Sequence, residues 1–173
     1  MAKARTVGID ADGADRLDAI RFLILGAQRE GARMMSTILR EVGLNAAQEE
    51  VLEVVRRRGP LTLAELGRLL VCEAGSPSRL VDGLVQRGLI DRSRSGDDKR
   101  VVLLTLTPDG EQAVERAVQT GGLRDHIGDR LTSHELDELT ALLTKLVADT
   151  PSGVAITGRF PAVRAAIRPT ATH

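Results

Sequence analysis

From Arg16 to Val42, apolar or small side chains return at Leu17, Ile20, Ile24, Ala27, Gly31, Met34 and Ile38. The intervals alternate three and four, which predicts a long helix with a coiled-coil-like seam. Ala27 and Gly31 in mid-seam leave room for a second helix to come close. Phe22, Leu23, Leu25, Met35 and Leu39 widen the apolar surface beyond one stripe, so the helix is expected to be covered on more than one side. Gly43 ends it. Asn45 and Gln48 then give a capping signal. Ala47, Val51, Val54 and Val55 form the face of a second helix, ending in Arg56-Arg57-Arg58-Gly59-Pro60.

Two shorter helices follow. Thr62 and Glu65 have the spacing of a capping box, and Leu63, Leu66, Leu69 and Leu70 recur behind them at helical spacing. Cys72-Glu73-Ala74-Gly75 makes a turn. Ser76 is the expected N-cap of the next helix, because Pro77 suits the first helical position, where its missing N–H is not needed. That helix runs to Arg87 and stops at Gly88, a residue suited to a left-handed C′ position. Strand-like runs at Leu89 to Arg92 and Val101 to Leu106 flank a charged, Gly-containing tip, SRSGDDKR. Helix, turn, helix and basic hairpin describe a winged helix-turn-helix.

Beyond the hairpin Thr107 caps and Pro108 starts another long helix, in which Gly121-Gly122 is expected to produce a kink. Thr132 and Glu135 form a further capping box, and Leu136, Leu139, Leu143 and Leu146 line the last long helix. Long seams at both ends of a compact unit bury little in a monomer and suggest packing against a second subunit. The fold class read here is mainly α with a small β-hairpin wing, a winged helix-turn-helix flanked by long N- and C-terminal dimerisation helices. Its divisions are an N-terminal arm and dimerisation helix (1–43), the winged unit (44–107), C-terminal dimerisation helices (108–149) and a tail (150–173). The tail carries Val154, Ile156, Phe160, Val163 and Ile167, too apolar for a solvated coil. It is expected to fold back across the dimer helices, with a short helix from Pro161 to Ile167.

Charge sharpens this division. The 173 residues sum to zero, which by itself argues against a polyanionic partner. The distribution reverses that. Residues 52–107 carry 10 basic and 7 acidic groups, net +3, whereas residues 108–149 carry 4 and 9, net −5. With Phe22 and Phe160 the only aromatic residues, the core must be built from Leu, Val, Ile, Ala and Met.

The candidate chemistry lies on the second short helix and the hairpin. Leu80, Val81, Leu84 and Val85 form its apolar stripe, leaving Arg79, Asp82, Gly83 and Gln86 opposite, with Ser78 at the edge. Arg can pair bidentately with guanine and Gln with adenine; a solvated helix face is the alternative reading. Arg92, Arg94, Lys99 and Arg100 crowd the hairpin tip, a composition suited to lying along a phosphate backbone or entering a minor groove. One of Asp97 and Asp98 is expected to orient a neighbouring Arg as an ion pair. Arg56-Arg57-Arg58 reads equally as a phosphate contact or as a solvated basic helix end favoured by the dipole.

GPLTLAELGRLL and SRLVDGLVQRGLIDRSRSGDDKRVVLLTLTPDG together resemble the DNA-binding domain of the MarR family of bacterial transcriptional regulators. The matching pieces are the recognition helix, the RGLIDR entry to the wing, the D-x-R of Asp98, Lys99 and Arg100, and the LTLTPDG exit, spanning about Leu44 to Val114. Pro77 and Gly83 depart from the pattern. Gly83 stands where the family commonly carries a basic or larger polar residue, so either the DNA backbone approaches closely there or a contact has been dropped.

The resemblance implies a two-fold homodimer on double-stranded DNA, more often a repressor, acting on a pseudo-palindromic operator. In it Arg79 and Gln86 read bases, Ser76 and Ser78 bind phosphate, and Arg94, Lys99 and Arg100 are wing contacts. Asp98, with Asp82, holds Arg100. It also implies a small apolar or phenolic effector in a pocket lined by Met34, Met35, Ile38, Val51 and Val55, residues that serve equally as core. Some family members switch on thiol oxidation, which brings Cys72 into view; the alternative is a small buried hydrophobe. A winged helix can also serve as a protein-interaction module.

Other functions find no support. A single cysteine excludes an intrachain disulfide. His126, His134 and His173 lack metal-ligand spacing, and no catalytic constellation or phosphate-binding loop is present, so neither an enzyme nor a cofactor is expected. DADGAD near the N-terminus fails the calcium-loop pattern. No stretch approaches the roughly 20 apolar residues of a membrane span, and the N-terminus lacks a signal-peptide core, so a cytoplasmic protein is expected.

Overall fold

A computed structural model of the chain describes residues 11–71, 76–96 and 98–163. Helix α1 (Ala11–Glu41) begins before the expected Arg16 and ends at Gly43, whose φ of +69° needs a residue without a Cβ. There Leu44 N–H bonds Leu39 C=O and Gly43 N–H bonds Arg40 C=O, the paired closure of a Schellman end. Helix α2 (Ala46–Arg58) opens with the Asn45–Gln48 capping box and α3 (Leu63–Leu69) with that of Thr62 and Glu65. Helix α4 (Pro77–Gln86) closes through Gly88 in the same manner as α1.

Strands β1 (Ile90–Arg94) and β2 (Val102–Leu106) pair antiparallel, with Ile90 opposite Leu106 and Arg94 opposite Val102. The first strand starts one residue later than expected and runs two residues further, because the ladder continues into the basic tip. Leu61 adds a single bridge to Leu104, which ties the α2–α3 connection to the wing.

Helices α5 (Pro108–Gln119), α6 (Leu123–Gly128), α7 (Ser133–Val147) and α8 (Pro151–Arg159) complete the fold. Gly121 and Gly122 break the chain between α5 and α6 outright, where the sequence suggested a kink. Both have positive φ, which ends a right-handed helix, and a Cβ on Gly122 would strike Ile38 Cδ1. Gly31 serves the expected close approach, but to a helix of its own chain: a Cβ there would meet Leu123 of α6 at 3.3 Å.

The core is centred on α2. Val51, Leu52, Val54 and Val55 pack with Leu39, Leu66, Val81, Leu84, Ile90, Leu104 and Val114. The seam of α1 divides accordingly. Ile38 and Leu39 are buried, whereas Leu17, Ile20, Phe22, Leu23 and Ile24 are exposed. Across from them Leu139, Leu142, Leu143 and Leu146 of α7 are also exposed, and the two rows line an apolar groove of about 650 Å³.

The tail folds back as expected, but not where expected. Its helix is Pro151–Arg159, and α8 packs on α3 and α2 of the winged unit as well as on α7. The helix anticipated from Pro161 to Ile167 is present as far as Val163, and its remainder lies outside the described residues.

Candidate DNA-binding interface

The stripe of α4 is used as its spacing requires. Val81 and Leu84 are buried and Leu80 and Val85 pack beside them on the core. Arg79 and Gln86 are exposed on the opposite face, with Ser78, Asp82 and Gly83 half-buried along it. A Cβ on Gly83 would meet nothing within 4 Å, so the outer face of the helix has an open notch at its middle.

Ser76 occupies the N-cap position with extended backbone, but its hydroxyl makes no capping hydrogen bond. The expected cap is therefore supplied only by backbone geometry and Pro77. Cys72 and Asp97 lie outside the described residues.

The wing is organised differently from the expectation for its acids. Asp82 on α4 accepts a hydrogen bond from Arg92 Nη2 at 2.7 Å, not from Arg100. Arg92 on β1 is near enough because the strand runs alongside the helix end, whereas Arg100 is beyond the strands at the tip. A half-exposed pair of this kind contributes up to about 1 kcal/mol. Its larger consequence is geometric, since it joins the helix to the wing. Asp98 holds Arg100 through the backbone: Oδ1 accepts the Arg100 N–H at 2.9 Å, while the Asp98 carbonyl accepts Val101 N–H at 2.9 Å. The carboxylate thus closes the tip turn and leaves the guanidinium outside it. Arg94, Lys99 and Arg100 are exposed, and among the described residues none of them is ion-paired. Arg79, Gln86 and these three cations are the groups this surface offers to a ligand.

The arginine triplet is not part of that offer as a unit. Arg56 and Arg57 both donate to the buried Glu53, at 3.1 and 2.6 Å, and Arg124 of α6 approaches it at 3.7 Å. Arg57 also stands 5.1 Å from the Phe160 ring. Burial and the like charge of Glu53 raise the pKa of the neighbouring Glu49, against the lowering influence of Arg159 and Arg124. By contrast, the exposed caps Glu65 and Glu135 are held below the usual carboxylate range by hydrogen bonds from Thr62 and Thr132.

The residues expected to line an effector pocket do not share a described cavity. Val51 and Val55 are in the core with Met35 packed on it, Ile38 is buried, and Met34 is half-buried. The cavities described are the α1–α7 groove, a smaller apolar one of about 350 Å³ between Thr140, Leu143, Val147, Ile156 and Val163, and one of about 220 Å³ at Arg58, Leu61 and Arg68.

Sequence reasoning missed Glu50 and Arg159, which pair at the α2–α8 contact. The available signal was Glu50 itself, a charge on the apolar side of α2 three residues after Ala47. Its partner is too distant in sequence for spacing to reveal.

Comparison with known proteins places these features. The MarR family model matches residues 44–102. The multiple antibiotic resistance protein MarR of Salmonella typhimurium is 33% identical over 127 residues, covering 72% of this chain and 88% of that protein. A crystal structure of a mutant MarR from E. coli complexed with operator DNA matches with a TM-score of 0.66 and 30% identity, over 77% of this chain and 96% of that one. Bordetella bronchiseptica BpsR, whose DNA binding is regulated by 6-hydroxynicotinic acid, matches with a TM-score of 0.60 and 26% identity, over 74% of this chain and 98% of that one.

Proposed function

This chain belongs to the MarR family, a DNA-binding transcriptional regulator and not an enzyme, and from that premise we propose a homodimeric repressor on a pseudo-palindromic operator, released by a small-molecule effector. The observation that carries the reading is the joined surface of α4 and the wing. Arg79 and Gln86 project from a helix whose other face is fixed in the core, and the Asp82–Arg92 bond sets that helix against a wing tip bearing Arg94, Lys99 and Arg100. Arg79 and Gln86 read base edges in a major groove while the wing cations and the Ser76 and Ser78 hydroxyls take phosphate.

Dimerisation is supported by the α1–α7 groove. A row of exposed leucines and isoleucines this continuous is unusual on a monomer, and the counterpart helices of a second copy are apolar in the same places. Two reading heads then engage half-sites about one helical turn apart. An apolar or phenolic effector acts by favouring a dimer whose heads no longer match that spacing. Met34 and Met35, half-buried on α1, are the side chains whose movement would open such a site beside the core residues Ile38, Val51 and Val55, which share no described cavity. No helix among the described residues is long and apolar enough to cross a membrane, and the site of action is the cytoplasm.

Selection of bound duplexes from a random pool, followed by affinity measurements at several salt concentrations, tests the reading. An enriched inverted repeat and a steep salt slope are expected. No enrichment with a flat slope overturns it in favour of a protein partner at the same surface.

A further inference from the structure

Helix α8 lies outside the stretch matched by the family model, yet it is packed onto the winged unit. Gly158 permits the approach, since a side chain there would come within 2.8 Å of Leu69 Cδ2 at the end of α3. The next residue, Arg159, donates from Nη1 to Glu50 Oε1 at 2.5 Å, with the two side chains only 11% and 8% exposed. The same carboxylate oxygen accepts the backbone N–H of Val71 at 2.8 Å. Val71 follows α3, whose C-cap Leu70 has already turned to extended backbone, so Glu50 satisfies an amide at the start of the connection to α4.

A buried carboxylate stays in place only if it is both paired and hydrogen-bonded. Arg159 supplies the pairing and Val71 receives the result. We propose that Arg159 is a positioning residue for DNA reading. By keeping the Glu50 carboxylate against Val71 N–H, it fixes where α3 ends and hence where the recognition helix begins. Phe160, with the Arg57 and Arg159 guanidinium groups 5.1 and 5.6 Å from its ring, anchors the same end of α8. The C-terminal helix is thereby a working part of the reading head. This inference rests on the reading of α4 as the recognition helix.

The test uses the full chain and the duplex enriched by selection, below the melting temperature of every variant. Arg159→Met keeps most of the bulk but takes the guanidinium from the buried carboxylate, so its hold on the Val71 N–H should loosen. Affinity is expected to fall about tenfold, with an unchanged salt slope and faster hydrogen exchange at the Val71 amide. Adding Glu50→Gln removes the charge that Arg159 balanced and keeps an oxygen for Val71, so the double variant should recover to within about threefold of the parent. Glu50→Ala with Arg159→Met should not recover. If Arg159→Met fails to fold, the two double variants still decide the matter when affinity is read beside Val71 amide exchange. Glu50→Ala also removes bulk and other contacts of that side chain, whereas the exchange rate reports the bond to Val71 itself. Equal affinities in those two overturn the proposal, and so does a salt slope reduced by about one, which marks a direct phosphate contact. Arg79→Ala separates the layers: if it weakens binding while Arg159→Met does not, only the positioning role falls. If neither weakens binding, the assignment of α4 falls with it.

Discussion

Leu52 on α2 is fully buried, whereas Leu142 on α7 is 62% exposed, although both sit on helices of similar length and similar apolar spacing. The core around the winged unit is completed within the chain, by Leu39 of α1 and Val114 of α5 as well as by the unit itself. Helix α2 is surrounded by α1, α3, α4, α5 and the wing, so every side chain of its apolar face finds a partner within the chain. Among the described residues, the apolar rows in the first half of α1 and along α7 find none. Periodicity says only that a stripe will be covered; which molecule covers it depends on whether the chain returns to that place.

The largest effect that this contrast predicts is in the core. Leu52→Ala should lower the unfolding free energy by about 2–5 kcal/mol, through lost burial and an unfilled cavity, measured by denaturant titration at fixed protein concentration. Leu142→Ala should change the stability of the monomer by less than about 0.5 kcal/mol, as for other exposed sites. If the two losses are equal, the contrast is false.

Leu142→Glu probes what covers the exposed row. A charge buried in an apolar interface is strongly disfavoured, so dimer dissociation measured by sedimentation should shift by tenfold or more, about 1.4 kcal/mol or above. Operator affinity should fall with it at low protein concentration. A dimer of unchanged strength would mean that the leucines of α7 face something other than a second copy.

How much of this could be read in advance differs between the same two regions. The ends of α2, α3 and α7 follow from pairs three residues apart, Asn45–Gln48, Thr62–Glu65 and Thr132–Glu135, because both partners of a capping box lie within one turn. The stripe of α4 and the hairpin were legible for the same reason. What was misread involves partners distant in sequence or settled by backbone shape. Ser76 has the residue type of a cap without its bond, Gly121 and Gly122 break a helix because both take positive φ, with Ile38 against Gly122, and Asp82 selects Arg92 over Arg100 by proximity across the fold. The contact of α8 with α2 is held by Glu50 and Arg159, which no local rule connects.

The polar face of α4 is also incomplete in isolation, and two changes there should separate reading from gripping. Arg79→Ala should cost about 1–3 kcal/mol and relax base preference at one position of each half-site. Lys99→Ala should weaken all sequences alike and lower the salt slope by about one. Neutrality of both would mean that this face is complete as it stands.

Gly83→Ala tests the notch between these groups. An added methyl meets nothing in the free protein, so the helix should gain up to about 1 kcal/mol of stability. If DNA backbone enters the notch, the same substitution should weaken operator binding. If affinity is unchanged while stability rises, the glycine marks a contact the chain does without.

The smallest expected effect lies where the two regions meet. Glu49 faces Glu53 and Glu50 on its own helix, with Arg124 of α6 and Arg159 of α8 as the opposing charges, and burial keeps its pKa above the usual carboxylate value. A carboxylate whose pKa is raised by folding contributes stability that is present below its unfolded value and lost as pH rises through the folded one. At neutral pH Glu49 is therefore a liability to the folded state. Glu49→Gln should raise the melting temperature at pH 7, and the gain should shrink as pH falls and vanish once the parent carboxyl is protonated below the ordinary carboxylate range. A gain that persists at acidic pH would mean that side-chain packing, not charge, is what the substitution relieves; a loss at pH 7 would mean that Arg124 and Arg159 outweigh burial and the neighbouring acids.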